Sequence, residues 1–226
     1  MDKYIDLYRL PDYNFATFDR SMMVLDVGCG NGAQLEKLKA RGCRPIGIEP
    51  DRNRVNNCTQ RGVSAMVGCA EKLPFEDSTF DGVICKGVMP FTAQGAAFRE
   101  IGRVLKPGAV AQFCYLSSGF YLRYLLLGPD RGLRYRLYGL RTLLNTWLFM
   151  AKNRVLPGFL GDTIYQSQGQ LRRYYKKYHF TLVRETPSKK FAGLPVFIYH
   201  AVRRMTFPSV SPAVSAEQKE VAEHAA

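Results

Sequence analysis

The run Val24-Leu25-Asp26-Val27-Gly28-Cys29-Gly30-Asn31-Gly32 constrains this chain more than any other stretch. An apolar segment carries an acidic residue near its end, and glycines then occupy every second position. That order predicts a buried strand running into a tight turn and a helix, because only glycine combines unusual dihedrals with close approach of a ligand to the backbone. A second apolar run, Pro45-Ile46-Gly47-Ile48, ends at Glu49. Together the two runs describe a nucleoside pocket at the carboxyl ends of adjacent parallel strands, where open α/β sheets bind ligands.

The first half of the chain repeats this rhythm. Apolar, β-rich runs predict strands near 23–28, 45–49, 64–68, 80–87 and 109–116, alternating with helical patterns near 32–41, 52–61 and 94–105. Lys106-Pro107-Gly108 marks the end of the third helix, since proline cannot continue one. Such alternation implies a doubly wound, mostly parallel sheet with right-handed crossovers.

After Tyr115 the rhythm breaks. Residues 117–166 are rich in Leu, Tyr and Arg and do not read as a strand–helix unit. Leu133, Leu137, Leu140, Leu144, Trp147 and Ala151 recur at helical spacing, while Arg134, Arg141, Asn145 and Lys152 fall on other faces, which predicts an amphipathic helix. A helix near 167–178 and two strands, about 180–187 and 195–204, follow. The tail 207–226 is Pro/Ser/Ala-rich and then acidic, the composition of a disordered segment.

Chain length suffices for one domain, here 1–206, with a full core plus an elaboration. The N-terminus lacks a basic region followed by an apolar stretch, so no signal peptide is expected. No apolar run approaches the ~20 residues that span a bilayer. All six cysteines lie within residues 1–114 without zinc-like spacing, which predicts reduced core thiols in a cytoplasmic protein and no metal site. Charge is uneven. Residues 117–204 hold 16 Lys/Arg against 3 Asp/Glu, whereas residues 1–116 hold 15 against 13. The basic segment should therefore face something anionic.

The motifs together resemble a family. Val24 to Gly32 is similar to the first motif of class I S-adenosylmethionine-dependent methyltransferases, with Gly28-Cys29-Gly30-Asn31-Gly32 as the GxGxG turn. Gly47-Ile48-Glu49-Pro50-Asp51 resembles the acidic end of the second strand. Ala70-Glu71-Lys72-Leu73-Pro74-Phe75, followed by Ser78-Thr79-Phe80-Asp81, resembles the third and fourth blocks, and Glu100 to Gly108 the turn before the fifth strand. The blocks cover roughly residues 22–116 and look most like the small-molecule branch typified by ubiquinone and menaquinone methyltransferases. A nicotinamide-binding domain would space its turn GxGxxG; here the third glycine comes one position too early.

The resemblance implies a Rossmann-like seven-stranded sheet with an antiparallel last strand and a helical substrate-side insertion at 117–166. It implies S-adenosyl-L-methionine as cofactor and S-adenosyl-L-homocysteine as product. Gly28, Cys29 and Gly30 would pass close to the methionine part. Asp26 would either fix that loop or hold the cofactor's amino group through water; left unpaired, a buried carboxylate is costly. Glu49 would accept from both ribose hydroxyls, with Pro50 beside it, while Asp51 caps the next helix. Where the family often has an Asp for adenine, this chain has Cys69, a weak acceptor, which shifts adenine recognition to Ala70 and Glu71, with Leu73 packing nearby. Lys86 ends the fourth strand, at the border of methyl group and substrate. The N-terminal segment 1–21 resembles a lid, with Tyr13 as its cofactor contact.

Methyl transfer from a sulfonium asks the protein mainly to align the reacting atoms and exclude water. No His-Asp or paired-carboxylate constellation names a general base; Tyr115 and Tyr121 lie nearest the expected site, and His179 and His200 read as structural. The insertion's leucines and aromatics imply a lipophilic small-molecule acceptor, and its arginines an acidic group or an anionic membrane surface. Nucleic acid ranks lower, on Arg172-Arg173-Tyr174-Tyr175-Lys176-Lys177 alone. The alternatives are a cofactor-binding protein without turnover, or a nucleic-acid or protein methyltransferase.

Overall fold

A computed structural model describes residues 18–127, 133–152, 164–186 and 188–206. Strands β1 (Met23–Val27), β2 (Arg44–Glu49), β3 (Ser64–Val67), β4 (Phe80–Lys86) and β5 (Leu105–Leu116) alternate with helices α1 (Ala33–Ala40), α2 (Arg52–Gln60) and α3 (Gln94–Val104). Helices α4 (Ser118–Leu127), α5 (Leu133–Lys152) and α6 (Gln168–Lys177) follow. Strand β6 (Phe180–Thr186), a short hairpin of β7 (Lys190–Phe191) and β8 (Leu194–Pro195), and β9 (Phe197–Arg204) complete the described chain.

Seven strands form one sheet in the order β3-β2-β1-β4-β5-β9-β6. The first five pair in parallel, and β9 runs antiparallel to both β5 and β6. This is the Rossmann-like architecture expected, with the last strand reversed. The chain winds outward from β1 through β2 to β3, then returns and winds the other way through β4 and β5. A crevice therefore opens between β1 and β4 at their carboxyl ends, which positions the site.

Burial explains the strand composition. Val24, Leu25 and Val27 are inaccessible because helices cover both sheet faces. One face packs Leu25, Val83, Phe113 and Tyr115 under α3 and α6; the other packs Val24 and Ile84 with Leu38 of α1. The insertion has its own cluster, in which Phe120, Tyr121 and Tyr124 of α4 meet Leu116, Phe197 and Tyr199.

One boundary differs from expectation. The strand does not wait for residue 109: β5 begins at Leu105, directly after α3, and contains Lys106-Pro107-Gly108. Phe80 pairs with Leu105 and Gly82 with Val110, so the Pro-Gly step is taken up as an irregularity in the ladder. Pro107 removes one backbone donor without preventing the extended conformation. The lid segment with Tyr13 and the tail 207–226 fall outside the described residues, the lid save for residues 18–21.

Candidate functional site

The glycine turn is pinned by its neighbouring strand. Gly28 and Cys29 both donate backbone N–H groups to the Ile48 carbonyl, at 2.7 and 3.1 Å. Gly30 N–H donates to Glu49 Oε2 at 3.0 Å, and Asp51 N–H to Glu49 Oε1 at 3.3 Å. Arg54 approaches the same carboxylate at 3.6 Å. Glu49 is thus held at the mouth of the crevice, only 4% exposed. A carboxylate offers about four acceptor sites, so it retains capacity for further donors.

Two glycines are required for different reasons. Gly28 has φ +73°, and an added Cβ would run into Val88, which closes the turn from below. Gly30 has φ +56°, and an added Cβ there meets nothing within 4 Å, so its side faces the open crevice beside Glu49. A bare backbone edge, a carboxylate near it and a second buried carboxylate fit a cationic, hydroxyl-bearing nucleoside such as S-adenosylmethionine.

That second carboxylate is Asp26, in register between Gly47 of β2 and Ile84 of β4. Burial pushes it up to about 7; Lys86 pulls it down and Glu49 pushes it up further. Burial in turn pushes Lys86 down to about 8, against the attraction of Asp26. Lys86 ends β4 opposite Cys114 of β5, and the turn that follows buries Met89 and Pro90. Asp26 and Lys86 therefore attract one another at the ends of β1 and β4, while burial moves each toward neutral pH.

The third block approaches the same place, because Gly68 N–H donates to the Glu49 carbonyl at 3.2 Å. Ala70 and Leu73 are buried, Cys69 is exposed and bridges to Lys72, and Pro50 is exposed beside Glu49. Glu71 Oε1 accepts the Ala93 N–H at 2.8 Å, so one of its oxygens caps the start of α3. Asp51 caps α2 through Asn53 N–H at 2.9 Å. Asp81, in the fourth block, accepts from Met23 N–H and from Lys106, which hold its carboxyl below the usual range and tie β4 to β1 and β5.

Tyr115 is turned away from base chemistry. It is wholly buried, its hydroxyl lies 2.9 Å from that of Tyr175, and burial raises its pKa well above the ordinary value. Tyr175 continues to His200 Nδ1 at 2.8 Å, and burial lowers His200. Tyr121 packs in the α4 cluster. His179 is an exposed turn residue.

Two contributors escaped the motif reading. Val88 fills the space under Gly28, which no local spacing reveals. Arg103 bonds Glu100, Asp77 and the carbonyls of Leu73 and Phe75, and so clamps the third block onto α3. The i,i+3 spacing of Glu100 and Arg103 is the signal that could have found it.

Residues 25–113 match the profile of a family described as a methyltransferase domain. The chain is 32% identical over 111 residues to the demethylmenaquinone methyltransferase of Corynebacterium kroppenstedtii, which covers 46% of this chain and 48% of that protein. Residues 25–113 are a methyltransferase domain of the class I S-adenosylmethionine-dependent type. A second methyltransferase relative, the fatty-acid O-methyltransferase of Mycolicibacterium smegmatis, is 30% identical over 172 residues, 68% of this chain and 62% of that protein. The chain thus spans about half to three fifths of these two relatives' lengths. Among solved structures, a SAM-dependent methyltransferase from Methanosarcina mazei superposes with TM-score 0.61 at 17% identity, over 88% of this chain and 99% of its own, a likeness of fold.

Proposed function

We propose that this methyltransferase transfers the methyl group of S-adenosylmethionine to a small lipophilic acceptor that carries an acidic or ionisable group. The observation that carries this reading is the crevice itself: Gly30 open to solvent beside Glu49, with Asp26 and Lys86 on its floor. The cofactor supplies an electrophilic methyl group on a sulfonium sulfur. Glu49 accepts from its ribose hydroxyls, the Gly28–Gly30 backbone lies along its methionine portion, and Asp26 offers a negative charge to its amino group.

Lys86, at the end of β4, offers a cation to a carboxylate or to an ionised acceptor. An acceptor whose nucleophile is already ionised at neutral pH needs no protein base, which agrees with the burial of Tyr115. The protein then contributes alignment and exclusion of water. The lipophilic character of the acceptor is supported by relatives named for demethylmenaquinone and for fatty acids.

Isothermal titration of the full chain with S-adenosylmethionine tests the donor. Saturable binding is expected, weakened about a hundredfold or more in Glu49→Ala, the scale of about two lost hydrogen bonds to a charged acceptor. No detectable binding by the wild type would sink the reading. Binding without methylation of any quinol or fatty acid would favour a cofactor-binding protein without turnover.

A further inference from the structure

Helix α5 is amphipathic, but it faces the wrong way for a helix that only packs. Leu133, Leu137, Leu140, Leu144 and Trp147 recur every three or four residues and form one ridge, and each is between 42% and 70% exposed. The opposite side is turned inward, with Tyr138 and Leu143 packed against the α4 cluster beside small and polar residues. Thr142, Asn145 and Thr146 are no more than 1% exposed. Thr146 Oγ1 accepts the Tyr165 N–H at 2.9 Å, and a Cβ added to Gly139 would come 2.9 Å from the Tyr121 carbonyl oxygen. The inward face is therefore fixed by close backbone approach, hydrogen bonds and the packing of Tyr138 and Leu143, and the outward face is what those contacts leave.

The ridge is about 21 Å long at the helical rise, and no described residue covers it. A contiguous apolar patch of this kind marks an interaction surface. Its surroundings choose the partner. Exposed Arg136 and half-buried Arg141 lie on either flank, within a segment of 16 basic and 3 acidic residues. A second copy meeting this ridge by twofold symmetry would set those arginines against their own kind, a repulsive arrangement. An anionic bilayer satisfies both features, taking apolar side chains at the acyl boundary and cations at the headgroups.

We infer that α5 docks this protein on an anionic lipid surface, lying in the interface with its leucine–tryptophan ridge inserted. The helix pair follows directly from the carboxyl end of β5, the end of the sheet that carries the glycine turn. Docking therefore brings the crevice to the membrane, where a lipophilic acceptor would be found. That purpose, though not the docking, rests on the methyl transfer proposed above.

Trp147 is the sole tryptophan, so intrinsic fluorescence reports on the ridge directly. The full chain is titrated with phosphatidylcholine vesicles, with and without phosphatidylglycerol, and flotation is measured in parallel. Mixed vesicles should shift the emission to the blue, let brominated acyl chains quench it, and float the protein. Pure phosphatidylcholine should bind at least tenfold more weakly. Leu137→Glu and Leu144→Glu should each abolish the shift and leave S-adenosylmethionine affinity unchanged by calorimetry.

Three results overturn the inference. One is emission that stays at the water-exposed wavelength while the protein remains in the soluble fraction. Another is equal binding to both vesicle types. The third is emission already blue before lipid is added: a dimeric mass by sedimentation would then assign the ridge to a second copy, and a monomeric mass to the chain's own remaining segments. Calorimetry on the same preparations separates the two proposals, since docking without cofactor binding removes only the methyl-transfer reading.

Discussion

Asp26 and Glu49 are both buried carboxylates at strand ends, yet they are held differently. Glu49 receives two backbone N–H groups and an arginine, whereas burial pushes Asp26 up to about 7. A cationic ligand favours the ionised form of Asp26, so affinity for S-adenosylmethionine should be full above pH 7 and fall as the pH drops below it. The decline should approach tenfold per unit, since one proton must leave for the ligand to bind. Titration calorimetry between pH 5.5 and 7.5 measures it, and Asp26→Asn should bind more weakly but without that slope. An unchanged slope in the variant would remove Asp26 from cofactor recognition. The residue identities here were legible from the glycine turn and the acidic strand ends. The pKa was not, because it depends first on burial within the folded sheet and then on the charge of Lys86, 60 positions away along the chain.

At the scale of elements, the strand and helix order of the first half followed from hydrophobic alternation and turn chemistry. Those are local properties. The α3-to-β5 junction shows where locality fails. Lys106-Pro107-Gly108 predicts a break, but Leu105 is drawn into the ladder opposite Phe80 and the break becomes an irregularity within β5. The Arg103 clamp is likewise an agreement between elements. Its guanidinium joins α3 to the loop carrying Leu73, Phe75 and Asp77. Removing it leaves Glu100 and two carbonyls short of donors, so Arg103→Ala should cost about 2 kcal/mol of stability in urea denaturation. Arg103→Lys should recover only part of this, because an ammonium cannot reproduce the fork. A loss below about 0.5 kcal/mol would show the clamp to be solvated and unimportant.

At the scale of the whole molecule, the six cysteines report on packing. All are free, Cys69 is exposed and the other five are buried. Burial pushes the thiols of Cys29, Cys43, Cys58 and Cys85 up, away from the reactive thiolate. A thiol-specific colorimetric reagent should therefore modify one group rapidly in the native protein and six in denaturant. Rapid reaction of two or more native thiols would contradict the packing around β1, β4 and α2. Saturating S-adenosylmethionine should slow the reaction at Cys69, which sits next to Ala70 in the block that borders Glu49.

The sequence by itself determined the sheet, the glycine turn and the two acidic strand ends, because each is written in short-range spacing. It also announced that α5 is amphipathic. Which side of α5 faces the protein was decided only in three dimensions. Helical periodicity leaves open which way the leucines turn; Gly139 permits α4 to approach closely, and Thr142, Asn145 and Thr146 are buried on that same side. Periodicity defines a face; only the neighbouring element decides what that face meets, and here the contact with α4 leaves the leucines and Trp147 outward.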